Sequence, residues 1–222
     1  MHGLANLSPR QQLLAGNLPR RLLQLALGLF LYGFSIAMLV QAHLGLGPWS
    51  VLEQGLLRLL PLSFGQVVVL VGAVVLLLWI PLRQWPGLGT VANVLAVGPA
   101  LDFGLWVLPE PESLGMRIAF MVAGVVLNGV ATAVYIGSQL GPGPRDGLMT
   151  GLAARTGRSL RLLRTGIEVT VLAIGFVLGG TVGVGTVLYA LGIGPLAQFF
   201  LRWVVVPLPD VRPLGEPEPT PS

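Results

Sequence analysis

Cysteine is absent from these 222 residues, and so is lysine. The first absence excludes disulfides, thiolate metal sites and a cysteine nucleophile. Histidine occurs only at His2 and His43, too few to build a zinc site. No metal and no cofactor are expected. Charge is scarce: 10% of the residues are charged, against about 25% in a soluble domain. Enzyme signatures are missing too. There is no His-Glu-x-x-His and no Gly-x-Ser-x-Gly. Gly87-Leu-Gly-Thr and Gly183-Val-Gly-Thr are not phosphate loops, because no lysine follows and no strand precedes. No enzyme is expected.

What the chain does have is apolar length. Hydrophobic residues make up 54% of it, with a mean hydropathy of +0.81. A span needs about 20 apolar residues. Six segments qualify: 22–42, 62–82, 90–108, 118–137, 162–179 and 182–206. The first is too long for a signal-peptide core and is expected to be retained. The polar stretch 1–21 precedes it. The proline-rich tail 207–222 is expected to be disordered.

All 13 basic residues are arginines, and they alternate by connection. Arg10, Arg20 and Arg21 precede the first span, Arg83 follows the second, and Arg145, Arg155, Arg158, Arg161 and Arg164 crowd the stretch after the fourth. The positive-inside rule then places both termini in the cytoplasm of a bacterial inner membrane. The formal charge of +4 is thereby explained as topology, and no nucleic-acid partner is expected.

The chain also repeats itself. Residues 28–105 set against 124–201 without a gap give 24 identities in 78 pairs; roughly a tenth is expected by chance. Gly45-Leu-Gly-Pro48 meets Gly141-Pro-Gly-Pro144, Gly87-Leu-Gly-Thr-Val91 meets Gly183-Val-Gly-Thr-Val187, and Gly98-Pro99 meets Gly194-Pro195. Three spans per copy is an odd number, so the second copy (117–206) enters from the side opposite to the first (22–109). The sequence therefore predicts an all-α bundle of six spans in two inverted repeats, an arrangement common in secondary transporters.

After the first span of each copy comes a segment too long for a turn. Gly47-Pro48 and Gly143-Pro144 predict short helices, since proline is well placed at a first helical position. They are either interfacial or re-entrant. Asp146 is expected to cap the second of them; alternatively, free N–H groups with Arg145 hold an anion. Thr90 and Thr186 are expected as N-caps of the third and sixth spans.

The runs 45–52 (Gly-Leu-Gly-Pro-Trp-Ser-Val-Leu) and 143–152 (Gly-Pro-Arg-Asp-Gly-Leu-Met-Thr-Gly-Leu) resemble the YczE/YitT group of bacterial integral membrane proteins. So do Arg155-Thr-Gly-Arg-Ser159, Arg164-Thr-Gly-Ile-Glu168 and 179–186. The resemblance covers about 22–206 and implies a multi-pass membrane protein. Ser50 stands where the family pattern has an acid after the tryptophan.

Two mid-span Gly-Pro pairs, Gly98-Pro99 and Gly194-Pro195, predict helix breaks that can frame a midplane site. Three residues on stand Asp102 and Gln198. A mid-span acid costs about 2.5–3.5 kcal/mol and is a functional candidate. Glu168 with Arg164 has i,i+4 spacing suited to an ion pair. Asn128 aligns with Tyr32, and both can face a central cavity or bond between helices. The expected function is a small-solute carrier with Asp102 as the coupling group. The alternative is a membrane scaffold or regulator that transports nothing. The expected partners are lipid, an unidentified solute and a second copy of the chain.

Overall fold

A computed structural model describes residues 8–208. His2 and most of the proline-rich tail lie outside them. Among the described residues the chain is all helix and loop. The elements are α1 (Pro9–Leu14), α2 (Leu18–Ala42), α3 (Pro48–Leu57), α4 (Phe64–Leu82), α5 (Leu88–Val107), α6 (Leu114–Gly137), α7 (Pro144–Thr156), α8 (Leu160–Val177) and α9 (Val184–Val204).

Five of these, α2, α4, α5, α6 and α9, are long and apolar enough to cross a membrane. The sequence predicts a sixth span at 162–179. There α8 has 18 residues and carries Arg161, Arg164 and Glu168, so it does not stand with the other five by composition.

The centre of the bundle is the pair α2 and α6, which pack against each other. Small residues let their backbones approach. A Cβ on Gly28 would lie 2.6 Å from the Tyr135 nitrogen, and one on Gly124 would lie 3.0 Å from Leu39. The early part of one helix thus meets the late part of the other, and the pair is antiparallel. On the far side of α2 lies α5, and on the far side of α6 lies α9. Gly33 meets Val97, and Gly129 meets Leu196. The buried core runs along this seam through Leu25, Leu29, Ile36, Leu101 and Val125.

Arg21, expected to mark topology, is fully buried. It donates to the carbonyls of Gln12 at 2.6 Å, Ser138 at 2.8 Å and Gln139 at 2.7 Å. One guanidinium therefore ties α1, the start of α2 and the end of α6 together. At the opposite end His43 pairs with Glu110 at 2.7 Å.

The short helices cross over. α3 packs on α8 and α7 packs on α4. The loops before them cross as well: Gly89 N–H donates to the Leu140 carbonyl at 2.7 Å, and Gly185 N–H donates to the Leu44 carbonyl at 2.7 Å. Thr90 and Thr186 are not N-caps. Gly87 and Gly183 take those positions, and each threonine hydroxyl accepts the cap N–H at 3.2 Å from one turn in.

Neither Gly-Pro pair breaks its helix. α5 runs unbroken through Pro99 and α9 through Pro195. Proline resists helix partly by clashing with the residue before it, and glycine there lacks the Cβ that clashes. The two sites differ in packing. Gly98 lies against the Gly65 backbone, closing α4 on α5, whereas a Cβ on Gly194 would meet nothing within 4 Å.

Candidate functional site

α3 and α7 begin with the same chemistry. Gly47 and Gly143 are extended N-caps, and Pro48 and Pro144 open the helices. Proline has no N–H, and no side chain caps either helix. Both first turns face one cavity of about 280 Å³. Its wall takes Tyr32, Trp49 and Asn93 from the first copy, and Tyr135, Asp146 and Tyr189 from the second. The chain has three tyrosines, and all of them line this space.

Arg145 crosses from α7 to α3. It is ion-paired with Glu53 and its guanidinium lies over the Trp49 ring, 4.8 Å from the centroid. Glu53 is fully buried. Burial pushes its carboxyl up, and the Arg145 charge opposes that shift. The two partners are 92 positions apart in the sequence.

Asp146 does not cap α7. Its Oδ2 accepts from the Tyr135 hydroxyl at 3.2 Å. Burial raises this carboxyl, while Arg164, the Tyr135 hydrogen bond and Arg145 lower it. The two tyrosine rings Tyr32 and Tyr135 meet edge to face, 5.9 Å apart. Behind them lies a buried relay. Tyr189 donates to Asn128 Oδ1 at 3.0 Å, Asn128 Nδ2 donates to Ser35 Oγ at 2.8 Å, and Ser35 donates to the Tyr32 carbonyl at 2.6 Å. Asn128 is thus a support that fixes Tyr189, one layer behind the cavity wall.

The other residues singled out from the sequence divide. Gln198 and Glu168 line the cavity, and Arg164 Nε donates to Glu168 Oε1 at 3.1 Å. Gly194 is on the wall, but its neighbour Pro195 is not. Asp102 lies elsewhere. It accepts from Gly65 N–H at 2.7 Å and from the Ser63 hydroxyl, and so holds the first turn of α4. That is the work of a helix cap. Gly98 sits on the same closed α4–α5 seam, Pro99 is exposed, and neither lines the cavity.

Tyr135, Tyr189, Asn93, Trp49 and Glu53 were missed. One signal was present: the repeat sets Asn93 against Tyr189, a polar group at the same position of each copy.

Comparison with known proteins agrees with a membrane chain of this kind. Residues 19–202 match the family model described as "Family of unknown function (DUF6198)". A Haemophilus influenzae "Uncharacterized protein" is 38% identical over 84% of this chain and 85% of its own. The Bacillus subtilis "Uncharacterized membrane protein YczE" is 32% identical over 78% of this chain and 82% of its own. "Uncharacterized protein YyaS" of the same bacterium is 25% identical over 79% and 89%. No solved structure matches. The chain is a membrane protein with several helices apolar enough to cross a bilayer; it belongs to the DUF6198 family and is YczE-like.

Proposed function

We propose that this protein is a carrier for a small solute in the bacterial cytoplasmic membrane, with no enzymatic step. Its site is the cavity between the two copies. The frame is six spans in two inverted repeats, with both termini cytoplasmic. α8 serves as the sixth span, about 27 Å long at 1.5 Å per residue, its charges satisfied at one end by the Arg164–Glu168 pair. The reciprocal packing supports inversion: α2 and α5 run one way and α6 and α9 the other. α3 and α7 then dip into the bilayer from opposite sides.

The single observation that carries the reading is where the cavity sits. It is built from both copies, at the point where both short helices begin. Inverted-repeat transporters place their solute at the repeat interface, beside helix ends within the membrane. Rocking one copy against the other would expose that point to either side.

The exposed arginines Arg155, Arg158 and Arg161 favour the second reading, a scaffold that docks an acidic partner. The native chain lacks cysteine, so single cysteines at Asn93 and Gln198 report cleanly. A carrier lets an impermeant thiol reagent reach both positions, from each side in turn. If both resist reagent from both faces, the carrier reading fails and the scaffold stands.

A further inference from the structure

Charges in the cavity wall nearly cancel. Arg145 is engaged with Glu53 and Arg164 with Glu168. Asp146 is left without an ion pair, holding the Tyr135 hydroxyl. A carboxylate in a low-dielectric recess takes up a proton or attracts a cation. Around it stand Tyr32, Tyr135 and Tyr189. Their rings have electron-rich faces, and aromatic cages of this kind suit ammonium groups.

We propose that Asp146 and the three tyrosines form a site for a monovalent organic cation, and that proton and cation occupy it in turn. This rests on the carrier reading and names its solute class. The balance is one for one. The ionised Asp146 holds the cation; a proton arriving at its oxygen forms the neutral acid and frees the cation. No bond within the solute changes. A carrier built this way exchanges the cation for a proton, because both cannot be held together.

The groups facing Asp146 set the balance. Arg164 and Glu168 reach it from α8, Tyr135 from α6 and Arg145 from its own helix. Tyr32 of α2, Asn93 of α5 and Tyr189 of α9 complete the wall. On the α4 side, Trp79 packs against Gly147 of α7 and brings no charge. The start of α7 offsets part of the carboxylate's charge, which leaves the site weakly rather than strongly anionic. Single-charged solutes fit that balance.

The test uses the full chain in detergent and weak buffer, with tetramethylammonium chloride as probe. This ion has no proton to lose, so any proton released comes from the protein. The expected result is saturable release of up to one proton per chain. Apparent affinity falls about tenfold per pH unit once the carboxyl is protonated. Asp146→Asn abolishes the release, and Asp102→Asn leaves it intact. Tyr135→Phe removes a bond to the ionised form, so the midpoint of release moves to higher pH. Asp146→Glu keeps the release at a shifted midpoint, which covers the case in which the amide variant does not fold.

Saturable binding of sodium acetate instead, binding that persists in Asp146→Asn, or no saturable binding of tetramethylammonium would each overturn the proposal. The two readings fail separately. Thiol access from both faces without tetramethylammonium binding sinks only the cation site. Binding with access from one face sinks only the carrier.

Discussion

Single residues carry unequal weight, and the same side-chain type serves different ends. Asp102 and Asp146 are both carboxylates on helices of the bundle. Asp102 is spent on two donors at the start of α4, whereas Asp146 keeps one hydrogen bond and faces the cavity. Replacing Asp102 by alanine removes a cap, at a cost of about 1–2 kcal/mol. In a thermal melt of the purified protein the midpoint should fall by a few degrees, while thiol access at Asn93 and Gln198 stays unchanged. A loss of access with an unchanged melt would return Asp102 to the site. The sequence made Asp102 conspicuous because a mid-span acid is costly. It does not reveal that Ser63 and Gly65, nearly forty positions earlier, supply the donors. Likewise Arg145, which the sequence offers as an anion ligand, is ion-paired with the buried Glu53.

At the level of elements, close approach decides what tolerates change. Gly147 on α7 touches Trp79 on α4: an added Cβ would lie 2.0 Å from the indole. The same indole donates from Nε1 to the Pro144 carbonyl at 2.9 Å, so it cannot move away cheaply. Gly147→Ala should therefore destabilise by about 1–3 kcal/mol. Gly166 on α8 has nothing within 4 Å, and Gly166→Ala should gain up to about 1 kcal/mol from helix propensity. Thermal melts of the two variants test the contrast; equal shifts would mean that the α4–α7 contact is not tight.

Element positions were largely legible from hydropathy, proline and glycine. Both short helices begin at the predicted prolines. Other features were not legible. Continuity through Pro99 and Pro195 depends on the glycine before each. α2 starts four residues early: Pro19 suits its first turn, and Arg21 there is held by the carbonyls of Gln12, Ser138 and Gln139. The threonines act from inside their helices because the cap positions are glycines pressed on the crossed loops, where an added Cβ would lie 2.7 Å from the Leu140 carbonyl at Gly87 and 2.5 Å from the Leu44 carbonyl at Gly183.

For the whole molecule, the duplication was the most legible property, since glycine and proline spacing survives divergence where apolar side chains exchange freely. The lining of the cavity was the least legible. Its members come from eight helices, α2 to α9, and only packing brings Tyr32, Tyr135 and Tyr189 together. The packing also departs from the repeat. α4 closes on α5 through Gly65 and Gly98, while Gly194 on α9 stands open, and α9 is the least buried of the five apolar helices at 11%.

The crossed loops have a last consequence. Leu44 and Leu46 satisfy backbone groups at Gly185 and Thr181, Leu140 satisfies Gly89, and Arg21 is saturated by carbonyls at 138 and 139. Each half completes the other, and only the 108–113 connection joins them covalently. A gene split between residues 112 and 113 should therefore yield two polypeptides that co-purify when made together. Made singly, either should be degraded or aggregate, because buried amides would lack acceptors. A stable solitary half would contradict this. The linking peptide is then a tether, and the protein behaves as a pair of unequal subunits that happen to share one chain.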